Sequence, residues 1–121
     1  MRFLIVDDSS MMRRILTNTL AKLGYPDVIE AATGRDALER LSEGSVDVII
    51  TDWQMPDMNG LDLVRSLRSS PATRQMPVMM VTSNARSDDV VEALKSGVNG
   101  YVVKPFTLET IREKVAAILA R

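Results

Sequence analysis

Asp7-Asp8, Thr51-Asp52, Thr82-Ser83 and Lys104-Pro105 each follow directly on a short aliphatic run of the chain. Brought together, they would supply three carboxylates, a hydroxyl and an ammonium. Three carboxylates in one crevice repel and raise one another's proton affinity unless positive charge sits among them. Lys104 offers one such charge. A bound Mg²⁺ would add two, and it favours octahedral oxygen ligation from one or two carboxylates, water and a phosphate oxygen. The chain has no His and no Cys, so a hard cation suits the donors on offer, Mg²⁺ first and Mn²⁺ as the alternative. A carboxylate nucleophile beside that ion, a Lys and a Thr hydroxyl is apparatus for phosphoryl transfer, where positioning and charge neutralisation do most of the work. Each position alone has a plainer role, since Asp after a strand forms turns or caps helices and Thr or Lys there is commonly solvated. Their joint occurrence at four strand ends favours the chemistry.

Composition narrows the field from the other side. The 121 residues are 45% hydrophobic and carry 15 Lys and Arg against 16 Asp and Glu. A chain of this length buries roughly two thirds of its unfolded surface as one domain, with no need of staples, and residues 1–121 read as one such domain. Without Cys there is no disulfide, thiolate nucleophile or Cys-ligated zinc; without His there is no Ser-His-Asp triad. The net charge of −1 gives no footprint for nucleic acid. The longest apolar run, Val115 to Ala120, is far short of a membrane span. The apolar stretch Phe3–Val6 meets Asp7-Asp8 too soon for a signal peptide. These features predict a cytoplasmic protein that engages neither nucleic acid nor membrane.

The elements that must position the four sites alternate strand and helix. Expected strands are Phe3–Val6, Val28–Ala31, Val46–Thr51, Pro77–Val81 and Gly100–Val103. Between them Met12, Ile15, Leu16, Thr19, Leu20 and Leu23 repeat at helical spacing, with Ser9 or Ser10 as cap and Gly24 as stop. A short helix is expected over Arg35–Leu41, and a third follows Asn59-Gly60 with Leu63, Val64 and Leu67 on one face. The fourth takes Ser87 as its cap, puts Asp88 and Asp89 in its first turn and ends at Gly97. The fifth opens at Thr107 and turns Ile111, Val115, Ile118 and Leu119 inward. Such alternation specifies an α/β fold with a parallel sheet, whose ligand site lies beyond the carboxyl ends of the strands where their order reverses. Trp53 reads as a partly buried anchor, and the eight methionines as core filler.

Leu4-Ile5-Val6-Asp7-Asp8-Ser9, the segment Thr51 to Gly60, Met80-Val81-Thr82-Ser83 and Gly100 to Thr107 together resemble the receiver domains of two-component signalling, and among them the stand-alone chemotaxis (CheY) type. The resemblance covers essentially the whole chain. It implies a doubly wound (βα)5 flavodoxin-like fold with strand order 2-1-3-4-5. It also implies that Asp52 is the phosphoacceptor, receiving its group from a CheA-like histidine kinase. Asp8 and Asp52 would bind Mg²⁺ directly, with the main-chain carbonyl of Gln54, and Asp7 would hold a metal-bound water. Lys104 would pair with Asp52 at rest and with a phosphoryl oxygen afterwards. Thr82 would donate its hydroxyl to the phosphoryl group, Tyr101 would be the aromatic that turns inward as Thr82 moves, and the Lys104–Pro105 bond would be cis. The output surface would be the face formed by the fourth helix, fifth strand and fifth helix, including Ala85, Val90, Tyr101, Val103, Phe106 and Lys114. In the chemotaxis type that face docks a helical peptide of the flagellar switch protein FliM. Such a receiver would act as a monomer, modifying only itself rather than turning over a substrate.

The resemblance has departures. Ser9 stands where the enterobacterial chemotaxis type has a third Asp. Gln54 and Asn84 occupy the positions that tune hydrolysis in receivers, where the chemotaxis type commonly has Asn and Glu. Three other readings compete. The chain could be the receiver module of a larger regulator or hybrid kinase, although its close at Arg121 after the last helix favours the stand-alone form. It could be a phosphorelay intermediate. An unrelated Mg²⁺-dependent aspartyl-phosphate hydrolase would need a second Asp two residues after the nucleophile, and Gln54 is there instead.

Overall fold

In the computed structural model, which describes residues 1–120, five parallel strands stand in the order β2-β1-β3-β4-β5. They are β1 (Phe3–Val6), β2 (Val28–Ala31), β3 (Val48–Thr51), β4 (Val78–Thr82) and β5 (Gly100–Val103). Helices α1 (Ser10–Lys22), α2 (Gly34–Glu43), α3 (Gly60–Ser69), α4 (Ser87–Lys95) and α5 (Leu108–Leu119) connect or follow them. The expected order 2-1-3-4-5 is the observed one. It reverses between β1 and β3, because the chain runs outward from β1 to β2 and then crosses back to the other side of β1.

Side chains alternate across the sheet and so build two cores. On one side Leu4, Val6, Ile49, Val78 and Met80 meet Ala37 of α2, Leu63, Val64 and Leu67 of α3, and Ala93 of α4. On the other, Phe3, Ile5, Ile50, Met79 and Val102 meet Leu16 and Leu20 of α1 and Ile111, Val115 and Ile118 of α5. β1, β3 and β4 are therefore buried along their whole length, which is why they read as unbroken apolar runs. Burying each large aliphatic side chain contributes about 1.5–3 kcal/mol. Met55, Met79 and Met80 are buried and Met12, Met58 and Met76 pack against the cores, whereas Met1 and Met11 are exposed.

Strand and helix ends depart from expectation in several places; α2, expected over Arg35–Leu41, runs over Gly34–Glu43 because the Thr33 side chain caps it by accepting the Asp36 N–H. Val46 is buried but lies outside β3, where Asp47 and Val48 both donate their N–H groups to the Arg2 carbonyl before the ladder begins. β4 starts at Val78 rather than Pro77, which has no N–H to give, and runs on through Thr82 to pair with Val103. Ser87 is not the cap of α4: Arg86 holds that position without a side-chain cap bond. The reason lies upstream, where the Asn84 side chain accepts the Arg86 N–H and closes the turn. Elsewhere Ser9, Thr33, Asn59 and Thr107 cap α1, α2, α3 and α5 through their side chains. Gly24 and Gly97, both at positive φ, follow the ends of α1 and α4. No helix among the described residues is long and apolar enough to cross a membrane.

Candidate functional site

β1 and β3 are neighbours in register, Val6 opposite Thr51, so the residues that follow them leave the sheet side by side. The Asp52 N–H donates to the Val6 carbonyl and extends the ladder one step. Asp7, Asp8 and Asp52 thereby offer carboxylate oxygens that all lie within 4.8 Å of one another. Asp7 is 2% exposed. Its Oδ1 accepts the Ser9 N–H and its Oδ2 accepts from Lys104 Nζ at 3.2 Å. Asp52 takes the Trp53 N–H on Oδ1 at 2.6 Å and Lys104 Nζ on Oδ2 at 3.2 Å. Asp8 is exposed, with no side-chain hydrogen bond or ion pair among the described residues. Lys104 thus makes the expected pair with Asp52 and a second one with Asp7. Burial pushes the Asp7 carboxyl above its ordinary pKa, against the opposing pull of the Ser9 N–H and the Lys104 ammonium.

The loop after β3 depends on one close approach. A Cβ at Gly60 would lie 2.1 Å from the Asp52 main-chain carbonyl oxygen, and the Gly60 N–H donates to the Trp53 carbonyl at 2.7 Å. Within the loop Asp57 takes φ 67, the left-handed region that short polar side chains tolerate best after glycine. Thr51 donates its buried hydroxyl to the Asp52 carbonyl. Trp53 is partly buried against the α2–α3–α4 core, as an anchor would be. Gln54 is exposed, and with Asp8, Asn59, Asn84 and Asp89 it lines an open crevice over the acidic group.

From the other side come the ends of β4 and β5. The Lys104 N–H donates to the Thr82 carbonyl, so the two residues are backbone neighbours, and the Lys104–Pro105 bond is cis. Thr82 is fully buried and its hydroxyl accepts the Asn84 N–H at 3.3 Å. Asn84 is a hub that its sequence neighbours do not advertise. Its side chain also donates to Asp89 and accepts from Arg86, and its carbonyl accepts the Tyr101 hydroxyl at 2.6 Å. Tyr101 is half-buried against the same core as Trp53; burial, then Asp89 and Asp52, hold its phenol above the ordinary value. Of the other output residues, Ala85, Val103 and Lys114 are exposed, while Val90 and Phe106 are half-buried. Phe106 packs on the α1–α5 side.

Two arginines escape sequence reasoning altogether. Arg13 donates to the Asp7 carbonyl at 2.7 Å and to Glu30 at 2.9 Å. Arg68, whose pKa burial lowers, gives its guanidinium to the carbonyls of Thr73, Arg74 and Gly97 and to Asn99. That ties the end of α3 to the turn after α4. Neither shows in periodicity, because a polar contact made across the sequence leaves no mark on an apolar pattern.

The acidic group fits a hard divalent cation. Its donors are all oxygen, they converge within reach of one ion, and one carboxylate is open to solvent while another is buried beside a fixed ammonium. Comparison with known proteins agrees in kind. The family model described as "Response regulator receiver domain" matches residues 3–116. Chemotaxis protein CheY1 of Helicobacter pylori is 50% identical over 120 residues, covering 98% of this chain and 97% of its own. Chemotaxis protein CheY of Pseudomonas aeruginosa is 48% identical over 121 residues, covering 100% and 98%. Among solved structures, chemotaxis response regulator CheY4 of Vibrio cholerae superposes with a TM-score of 0.88 at 34% identity, covering 97% of each chain.

Proposed function

The chain belongs to the response-regulator receiver domain family, within its CheY-like chemotaxis branch, and from that premise we propose that it is a Mg²⁺-dependent phosphoacceptor switch charged on Asp52 by a CheA-like histidine kinase. One observation carries the reading: the Lys104 ammonium lies between Asp7 and Asp52, beside three carboxylates that converge at the switch point of the sheet. An aspartate held so, with one oxygen on a main-chain N–H and the other on an ammonium, is oriented before any donor arrives.

In the reaction an Asp52 oxygen forms the new O–P bond as the P–N bond to the donor imidazole breaks, and the imidazole leaves with that electron pair. Lys104 turns from the carboxylates toward a phosphoryl oxygen and holds it. The Thr82 hydroxyl, now an acceptor from Asn84, rotates to donate to another. Asp7, Asp8, Asp52 and the Gln54 carbonyl would hold Mg²⁺, which supplies positive charge against the transferring group. When Thr82 turns away from the Asn84 N–H, the Asn84 loop and the Tyr101 hydroxyl bound to it lose one of their ties, so the arrangement favoured at the α4–β5–α5 face shifts. A FliM-like helical peptide is the occupant proposed for that face, through Ala85, Val90, Tyr101, Val103, Phe106 and Lys114.

Acetyl phosphate with Mg²⁺, followed by intact mass and Trp53 fluorescence, tests the acceptor. Wild type should gain one phosphoryl group and Asp52→Asn none; equal gain by both would refute the assignment. A FliM N-terminal peptide titrated with and without beryllofluoride tests the output, and equal affinity in the two states would remove the motor role.

A further inference from the structure

We infer that Arg13 is a positioning residue for the cation site, acting through the backbone of the acidic pair rather than through its own charge. The inference rests on the Mg²⁺ reading above. Asp8 is exposed and its carboxylate has no side-chain partner among the described residues, so its place is set by the main chain alone. The Asp7 carbonyl and the Asp8 N–H belong to one rigid peptide plane. Arg13 donates to that carbonyl at 2.7 Å, six residues away, and is itself fixed by Glu30 at 2.9 Å. Its N–H also donates to the Ser9 carbonyl. On the other flank the Asp7 N–H is held by the Ala31 carbonyl, next to Glu30 on β2. The turn from β1 into α1 is therefore pinned from both sides, and the Arg13 side chain that does so is only 18% exposed.

Charge and positioning predict opposite signs. Arg13 is a cation near the acidic group, so if it acted only by Coulomb repulsion its loss would tighten Mg²⁺ binding. Glu30 already pairs with it and blunts that repulsion. If Arg13 holds the ligand-bearing peptide plane, its loss leaves Asp8 free to wander and binding weakens.

The test is a Mg²⁺ titration read by Trp53 fluorescence, on wild type, Arg13→Gln and Arg13→Lys. The expected result is a Kd about tenfold higher for Arg13→Gln, the low end for an outer-shell partner. Arg13→Lys keeps the charge but lacks the fork that reaches both partners, and should fall between the two. In metal-free protein the Asp8 and Ser9 amides should exchange hydrogen faster in Arg13→Gln than in wild type. A Kd unchanged or lower in Arg13→Gln, or Arg13→Lys equal to wild type, would overturn the inference. Should Arg13→Gln lose its far-UV circular dichroism, Arg13→Lys alone decides. Absence of any saturable Mg²⁺ response in wild type would instead defeat the metal reading on which this one stands.

Discussion

The Lys104 ammonium stands 3.2 Å from an Asp7 oxygen and 3.2 Å from an Asp52 oxygen, and so serves as the shared counter-ion of two carboxylates from two strands. The Asp7 side chain is 2% exposed and that of Asp52 12%, so water replaces that counter-ion poorly at Asp7 and only in part at Asp52.

Lys104→Met should accordingly lower the stability of metal-free protein by about 2 kcal/mol, below the usual cost of breaking a buried pair because Asp52 and Lys104 keep some solvent screening. Added Mg²⁺ should stabilise the variant more than wild type, since it supplies the missing positive charge. Urea melts in EDTA and in Mg²⁺ measure both; an equal gap in the two buffers would contradict the shared counter-ion.

Asp7 gives a pH dependence of definite sign. Its folded pKa lies above the ordinary 3.8 because burial outweighs its N–H and ammonium partners. The folded state therefore binds more protons than the unfolded one, and the associated stability is complete below 3.8 and lost as pH rises through the folded value. In EDTA, Asp7→Asn should be at least as stable as wild type at neutral pH and lose that advantage below the ordinary carboxylate range. Denaturant melts across pH check the sign; a variant gaining stability relative to wild type toward acid would reverse it.

Gly60→Ala should be among the costliest single changes in the molecule, about 3 kcal/mol or more, because its Cβ would meet the Asp52 carbonyl oxygen at 2.1 Å. A smaller loss could arise only if the loop moves, and then Asp52 moves with it. Equilibrium unfolding together with acetyl phosphate labelling separates these: a variant both stable and fully labelled would show that the close approach is dispensable.

Tyr101 should ionise above its ordinary value of 10.0, held up by burial and then by Asp89 and Asp52. In an ultraviolet alkaline titration Tyr101→Phe should delete the high-pH component, and Asp89→Asn should move it down. Losing the hydroxyl should also cost about 1 kcal/mol, since the Asn84 carbonyl gives up a 2.6 Å hydrogen bond. A phenol titrating at its ordinary value would mean that Tyr101 spends its time turned outward.

Where the sequence was legible, an apolar pattern was the carrier. β1 and β4 lie between two helical layers, so their burial shows as unbroken hydrophobic runs, and the polar residues that end those runs, Asp7-Asp8 and Thr82-Ser83, mark the site. Gly60 showed in the sequence as the start of the third helix, but not the contact with the Asp52 carbonyl that leaves no room there for a Cβ. What stayed hidden was polar and long-range. The cap of α4 is displaced from Ser87 by the Asn84 side chain, Lys104 divides itself between two acids, and Arg68 reaches Asn99 across 31 residues. A donor such as Arg13 or Arg68 on a half-exposed helix face is written in the same letters as a solvated one.

Sheet position also sorts these residues by how freely they change. β1 and β3 each have a strand on either side, whereas β5, with Tyr101 and the exposed Val103, has a single neighbour and lies at the rim. A substitution beside Asp7 or Asp52 must suit two flanking strands and two cores, while one on β5 or the outer side of α4 answers to far fewer neighbours. The rim is thus where a side chain can be exchanged with least disturbance to the acidic group, because its packing is shared with one strand instead of two.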